Sequence, residues 1–425
     1  MAYETIYTID TSSIKVGRGA TSELGHDMQQ TGARRVMVVI DPHLTDAEVT
    51  QVACDALAAQ GIDAVRYEQV VVEPTDQSFQ TAAAFAAEGH FDAFVAIGGG
   101  STIDTAKAAN LYATYPADFL DYVNPPIGKG LPVPGRLKPL IAIPTTAGTG
   151  SETTGTAIFD LVALKVKTGI AHRALRPMLG IIDADATRTL PPMVAACSGL
   201  DVLCHAVESL TALPYSSRPA PASAALRPAY QGANPISDIW CSQAIHLVST
   251  YLIRAVTDPA DDEAREQMLL AAAYAGIGFG NSGVHLPHGM SYPVAGMVRG
   301  YRPAGYAVDH PMVPHGMSVI LNAPAVFRFT GPMNPARHLM AARLMGIDVR
   351  GAHDADAGHI LADAFIAIMR QTGMPNGLRA VGYTEADLDQ LAEGTLPQHR
   401  VTKLSPRSAG KEDLIGLFRD ALQYW

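Results

Sequence analysis

Short apolar runs alternate with longer amphipathic stretches over the first half of the chain. The runs at 34–41 (RRVMVVID), 64–72 (AVRYEQVVV), 91–100 (FDAFVAIGGG) and 140–143 (LIAI) are continuous rather than alternating in polarity. Strands covered on both faces read this way. Helical stretches fill the gaps, one running through Ala59 and another to Glu88, so the pattern predicts a parallel sheet with covering helices. The opening ETIYTIDTSSIKVGRGA alternates around Thr11-Ser12-Ser13 and predicts a short hairpin. TTGTAIFDLVALKVKTGI (153–170) predicts a second hairpin or strand pair, carrying Lys165 and Lys167. GIIDADATRTLPP (180–192) predicts the last strand and a crossover, which puts a domain boundary near Pro191. Beyond it the segments lengthen and take a helical period, at 238–256, 262–275, 336–345, 355–370, 384–391 and 411–424. The expected architecture is an α/β nucleotide-binding domain over 1–191 followed by an all-α domain over 192–425.

Composition narrows the partners. With 425 residues the chain exceeds one ordinary core. Hydrophobic residues at 48% and charged residues at 17% describe a globular protein. A net charge of −10 argues against nucleic acid or an acidic membrane as a partner. No uninterrupted apolar run reaches transmembrane length and no targeting pattern stands at the start, so the expected location is the cytoplasm. The four cysteines, Cys54, Cys197, Cys204 and Cys241, have neither CxxC spacing nor disulfide-scaffold density.

Three strand ends carry candidate ligand chemistry, because open parallel sheets bind at the carboxyl ends of their strands. Asp41 ends the VMVVI run, where a carboxylate accepts from both ribose hydroxyls of an adenosine and repels a 2′-phosphate, favouring NAD. A turn or helix cap is the plainer role for such an Asp. GGGSTIDTAK (98–107) offers Gly98, Gly99, Gly100 and Ser101 at a helix start, with Asp104 following; glycines let backbone approach a pyrophosphate. It is neither of the familiar glycine-rich phosphate fingerprints. AIPTTAGTGSE (142–152) brings the hydroxyls of Thr145, Thr146, Thr149 and Ser151.

In the second half SGLDVLCHAVES (198–209) sets Asp201 and His205 four residues apart, on one face of a helix. Alone the pair reads more often as a helix start and a satisfied histidine. His288 and His315 change that: each precedes Gly-Met at the start of an apolar run, and with the first pair they make one carboxylate and three imidazoles. Such a set suits Fe(II) or Zn(II) with a position left for substrate.

GGGSTIDTAK, IPTTAGTGSE, D-x-x-x-H and two H-G-M segments, in this order, resemble the iron-containing (group III) alcohol dehydrogenases of the dehydroquinate-synthase-like superfamily, over essentially the whole chain. The resemblance implies a metal on Asp201, His205, His288 and His315. It also implies NAD lined by Asp41, Gly98, Gly99, Gly100, Ser101, Asp104, Thr145, Thr146, Thr149, Ser151 and Lys167, in a cleft between the domains, and a homo-oligomer, dimer or larger. Departures point to one branch. The last two ligands stand 315 − 288 = 27 residues apart, about twice the separation in short members. A second insertion follows the Asp201–His205 helix, and Tyr292 stands where the family often has histidine. With GIGFGNSGVHLPHGMSYP, VDHPMVPHGMSV and TLPQHRVTKLSP, these features resemble the hydroxyacid–oxoacid transhydrogenase branch. That implies oxidation of 4-hydroxybutyrate to succinic semialdehyde coupled to reduction of 2-oxoglutarate to 2-hydroxyglutarate. A conventional NAD-dependent alcohol or 4-hydroxybutyrate dehydrogenase is the nearest alternative, and a non-catalytic binding protein the remote one. His285, Tyr292 and His310 are the candidates for moving a proton. Arg218, Arg227, Arg299 and Arg302, in the two insertions, are the candidates for holding a substrate carboxylate.

Overall fold

Eight strands stand among the described residues of the computed structural model, which are 2–164, 166–308 and 310–425. They are β1 (Ser13–Val16), β2 (Arg35–Ile40), β3 (Asp63–Tyr67), β4 (Ala93–Gly98), β5 (Leu140–Pro144), β6 (Thr156–Leu161), β7 (Val166–Ala171) and β8 (Leu179–Ile182). Six of them make one parallel sheet in the order β1-β8-β5-β4-β2-β3. Alternate residues of β2 feed two cores. Val36, Val38 and Ile40 pack with Leu24, Met28 and Leu57 on one face, while Met37 and Val39 pack with Tyr67, Phe91 and Phe94 on the other. Burial on both faces is why these strands are apolar throughout.

Topology and register position the loops at the carboxyl edge of the sheet. The chain steps outward from β2 to β3 and then returns to β4 on the opposite side of β2, so the switch point lies between β2 and β4. Ile40 is in register with Ile97, and Ile97 with Ile143. Asp41, Gly99 and Thr145 therefore leave the sheet side by side. β6 and β7 form a separate antiparallel pair; Lys165, expected on it, lies outside the described residues.

Two segments differ from expectation. β3 ends at Tyr67 instead of running to Val72, and Glu73 beyond it has a φ of 56°, which no strand accommodates. The opening segment makes no hairpin: β1 pairs in parallel with β8. Residues before it bond elsewhere, with Glu4 N–H donating to Arg218 O and Thr8 N–H to the Gln231 side chain. Alternation correctly marks extended backbone but does not say where the partner lies.

The chain divides into two compact units, Asp10–Leu190 and a second of Met1–Ile9 with Pro191–Trp425. The second unit is helical. Its centre is the helix Pro192–Thr211, packed against Pro235–Thr257, Asp262–Ser282 and His315–Ile320. Pro192–Thr211 is long and apolar enough to cross a membrane by length and composition, yet most of it is buried inside the protein. It is a core helix, and the one that carries Asp201 and His205 inward. The helix expected at 384–391 stands later, at Leu388–Thr395, preceded by a short turn of helix at Glu385–Asp387.

Candidate metal centre and phosphate cradle

One turn of Pro192–Thr211 presents Asp201 and His205. His288 lies in the first turn of the helix Leu286–Gly296, and His315 begins His315–Ile320. One donor atom from each of the four residues lies within 4.8 Å of all the others. Asp201 Oδ1 is 3.5 Å from His288 Nε2 and 3.8 Å from His315 Nε2, and Asp201 Oδ2 is 3.7 Å from His205 Nδ1. Ligands bound at about 2.1 Å in a tetrahedron stand about 3.4 Å apart, so these spacings approach coordination geometry. Asp201 Oδ1, His205 Nδ1 and His288 Nε2 are buried and have no hydrogen-bond partner. Buried polar atoms are almost always paired; an ion among them satisfies all three. The donor set fits a divalent first-row metal.

The glycine after each H-G-M histidine has a packing reason. A Cβ on Gly316 would stand 2.0 Å from Cys197 O and 2.9 Å from Asp201 Cβ, and one on Gly289 would stand 2.8 Å from Thr402 Cγ2. Close approach of backbone is what brings His315 over Asp201.

Supporting contacts fix the ring orientations. His288 Nδ1–H donates to Glu208 Oε1 at 2.6 Å, and His285 N–H donates to Glu208 Oε2 at 2.7 Å. This turns Nε2 of His288 toward Asp201 and selects its tautomer. His205 lies flat on Phe279, with ring centroids 3.9 Å apart. Burial alone would raise the Asp201 carboxyl, but the three surrounding imidazoles hold it well below the usual range. Burial pushes His205 down to about 3. At His288 burial acts in the same downward direction, yet the Glu208 and Asp201 carboxylates raise it to about 9. Glu208 was not among the expected site residues. Its signal was present, since Asp201, His205 and Glu208 at i, i+4 and i+7 share one helix face.

In the sheet unit, the loops after β4 and β5 meet. A Cβ on Gly99 would stand 3.1 Å from Thr146, and one on Gly100 2.5 Å from Thr149 Cγ2. Gly100, Ser101, Thr146 and Thr149 remain partly exposed at this carboxyl edge, at the start of the helix Gly100–Thr114. Gly98, Gly99, Thr145, Asp104 and Ser151 lie beneath them, buried. Ser151 Oγ donates to Asp104 Oδ1, Ile158 N–H donates to Asp104 Oδ2, and Lys107 Nζ reaches both Ser151 Oγ and Thr156 O. Asp104 and Ser151 thus tie the hydroxyl loop to the helix. Lys107, which sequence reasoning passed over, is fully buried at the centre of that network. Lys167 is buried against Glu73 and Asp160, at 2.7 and 3.1 Å. Asp41 accepts from His43 N–H and caps the turn Pro42–Leu44.

The three proton candidates occupy different surroundings. His285 is fully buried with Nε2 3.0 Å from Thr211 Oγ1, and burial pushes it down to about 4. Tyr292 is buried, and its hydroxyl accepts from Arg400. His310 is exposed. Of the insertion arginines, Arg227 is held by Glu4, Arg299 by Asp387 at the surface, and Arg218 by the Gln231 carbonyl, while Arg302 is exposed.

Two family models match the chain, the iron-containing alcohol dehydrogenase model over residues 11–184 and the C-terminal model of the same family over 229–422. The chain is 55% identical over 421 residues to the mitochondrial hydroxyacid-oxoacid transhydrogenase of Bos taurus, covering 99% of this chain and 90% of that one. The Xenopus laevis protein of the same name is also 55% identical, with 99% and 91% covered. A solved 1,3-propanediol oxidoreductase superposes with a TM-score of 0.85 at 26% identity, over 98% of this chain and all of that one. Both relatives are named mitochondrial, which overturns the cytoplasmic expectation.

Proposed function

The chain belongs to the iron-containing alcohol dehydrogenase family, and from that premise we propose that it is a hydroxyacid–oxoacid transhydrogenase. It is an oxidoreductase acting on CH–OH groups. In the proposed reaction 4-hydroxybutyrate is oxidised to succinic semialdehyde, and 2-oxoglutarate is reduced to 2-hydroxyglutarate by the same nicotinamide. The observation that carries the reading is the convergence of buried Asp201, His205 and His288 with partly buried His315 in a chain so similar to proteins of that name.

When bound, the metal supplies Lewis acidity toward the substrate oxygen and the nicotinamide takes up or returns the hydride. The proposed ion is iron(II), with zinc(II) accepted by the same donors. Asp201, His205, His288 and His315 would hold it. One carboxylate against three neutral imidazoles leaves a divalent ion under-neutralised, so negative charge gathering on the substrate oxygen is favoured. Glu208 keeps His288 in the orientation that binding requires. Gly100, Ser101, Thr146 and Thr149 would meet the NAD phosphates and ribose, with Gly98, Gly99, Thr145, Asp104, Ser151 and Lys167 setting the loops beneath and Asp41 next to the adenosine ribose. A homo-oligomer, dimer or larger, is part of the proposal by family likeness.

A steady-state assay of the metal-loaded protein with 4-hydroxybutyrate tests it. The expected turnover needs 2-oxoglutarate and no added NAD. Turnover that consumes NAD stoichiometrically and ignores 2-oxoglutarate would sink the transhydrogenase reading in favour of an ordinary dehydrogenase.

A further inference from the structure

Both proposed substrates are carboxylates, and the arginines of the two insertions are committed elsewhere or exposed. Another arginine is neither. Arg400 lies on the short helix His399–Thr402, which packs on Leu286–Gly296, the helix of His288. Its Nη2 donates to Tyr292 Oη at 2.9 Å, and its guanidinium carbon stands 4.8 Å above the Tyr230 ring. Among the described residues it makes no ion pair, and its Nη1 is buried without a hydrogen-bond partner. A guanidinium left with an unpaired buried N–H is costly, and a carboxylate is the partner its planar fork fits best.

Its surroundings join it to the metal centre. Tyr292 is four residues after His288, on the same helix face. Phe279, which lies flat on His205, packs edge-on against Tyr230. Gly289, next to His288, is open enough for Thr402 and Val401 to pack against it. Tyr230, Tyr292, Phe279 and Val401 form one apolar cluster around these contacts. Low dielectric there strengthens any charge pairing.

We propose that Arg400, held by Tyr292 and Tyr230, is the carboxylate anchor of the substrate site. The inference rests on the transhydrogenase reading and names what that reading lacks. Substrate chemistry supports a single anchor. In 4-hydroxybutyrate the carboxylate carbon is three bonds along the chain from the carbinol carbon, and in 2-oxoglutarate the distal carboxylate carbon is three bonds from the keto carbon. One cation at a fixed distance from the metal thus serves both half-reactions. Tyr292 then acts as a positioning residue, holding one guanidinium nitrogen so that the other faces substrate.

The test compares wild type, Arg400→Gln and Arg400→Lys as metal-loaded full chains. The readouts are kinetics with 4-hydroxybutyrate, 2-oxoglutarate and uncharged 1-butanol, and binding of butyrate by saturation-transfer NMR. The expected result for Arg400→Gln is a roughly 10- to 100-fold rise in KM for both acids, equivalent to losing one charge-assisted pairing. Butyrate binding weakens in parallel, turnover of 1-butanol and metal content hold, and Arg400→Lys recovers part of the loss. Unchanged KM and butyrate binding in Arg400→Gln would overturn the assignment. An equal loss with 1-butanol would also overturn it, as a structural effect. If both substitutions unfold, butyrate that gives no saturation transfer with wild type overturns it instead. Wild type that binds butyrate through Arg400 yet turns over no hydroxy acid upholds the anchor and fails the transhydrogenase reading.

Discussion

At the scale of single residues, several of the candidate ligands share one property with a minority of other polar side chains, burial without a partner. Asp201, His205 and His288 have it at the candidate metal centre, and Arg400 has it on a helix that packs against the helix of His288. Pattern exposes such residues only when their spacing is local. Asp201 and His205 could be read as a pair because four residues make one helical turn, and Glu208 was readable by the same rule. Arg400 was not, since it meets Tyr292 from a separate helix and nothing in TLPQHRVTKLSP marks the contact. The same kind of burial leaves Glu152, at the end of the hydroxyl loop, with Oε1 unpartnered. Burial raises its carboxyl from the usual 4.5 to about 7. Between those values the folded chain holds a proton that the unfolded chain has released. Stability therefore falls as pH rises through the window, by up to on the order of 3 kcal/mol at pH 8. Glu152→Gln removes the ionisation, so it should raise the unfolding free energy at pH 8 and leave it nearly unchanged near pH 4.5. Urea titrations at the two pH values measure this, and an equal effect at both would show that Glu152 does not titrate in that window.

At the scale of elements, the strand runs and their carboxyl ends were legible because burial on both faces writes itself as unbroken apolar sequence. The loops that leave the sheet together were legible because glycines and hydroxyls cluster there. Which of their members face outward was not, since Asp104 and Ser151 differ from Ser101 and Thr149 only by turning inward toward Lys107. The two H-G-M segments mix both kinds of information. Their histidines advertise a ligand, while their glycines exist for helix packing. Gly316→Ala puts a Cβ into the Cys197 carbonyl, and backbone cannot yield as a flexible side chain would. The helix His315–Ile320 must lift, and His315 with it. The expected cost is about 1–3 kcal/mol of stability and at least a roughly 10-fold loss of metal affinity. Gly416→Ala, in the helix Lys411–Asp420 with nothing within 4 Å, is the control and should be neutral or stabilising by about 0.5–1 kcal/mol. Metal titration of both variants separates packing at the ligand from helix propensity in general. Wild-type affinity in Gly316→Ala would mean that the ligand tolerates the shift.

At the scale of the whole molecule, the chain distributes its candidate chemistry between two units, with the candidate nucleotide loops in Asp10–Leu190 and every candidate metal ligand in the other. The change from continuous apolar runs to helical periodicity falls at Pro191, where the second stretch of the helical unit begins. The return of residues 1–9 to the helical unit was unreadable, because their partners, Arg218 and Gln231, are more than two hundred residues away. Distribution of this kind gives metal loss a local signature. Without an ion, the helical unit buries Asp201 Oδ1, His205 Nδ1 and His288 Nε2 without partners, an arrangement that is costly to leave open. Metal at about 100 times its dissociation constant stabilises the folded unit by roughly 2.7 kcal/mol, which for a unit of this size is about 5–10 °C in midpoint. The chain has two tryptophans, Trp240 and Trp425, and both belong to the helical unit. Tryptophan fluorescence is therefore a built-in reporter of that unit alone. Chelation should lower the fluorescence melting midpoint by this amount, and restored iron(II) or zinc(II) should return it. In His288→Ala the midpoint should no longer respond to either treatment, because the remaining donors hold the ion too weakly. A midpoint that still rises with metal in His288→Ala would remove His288 from the ligand set.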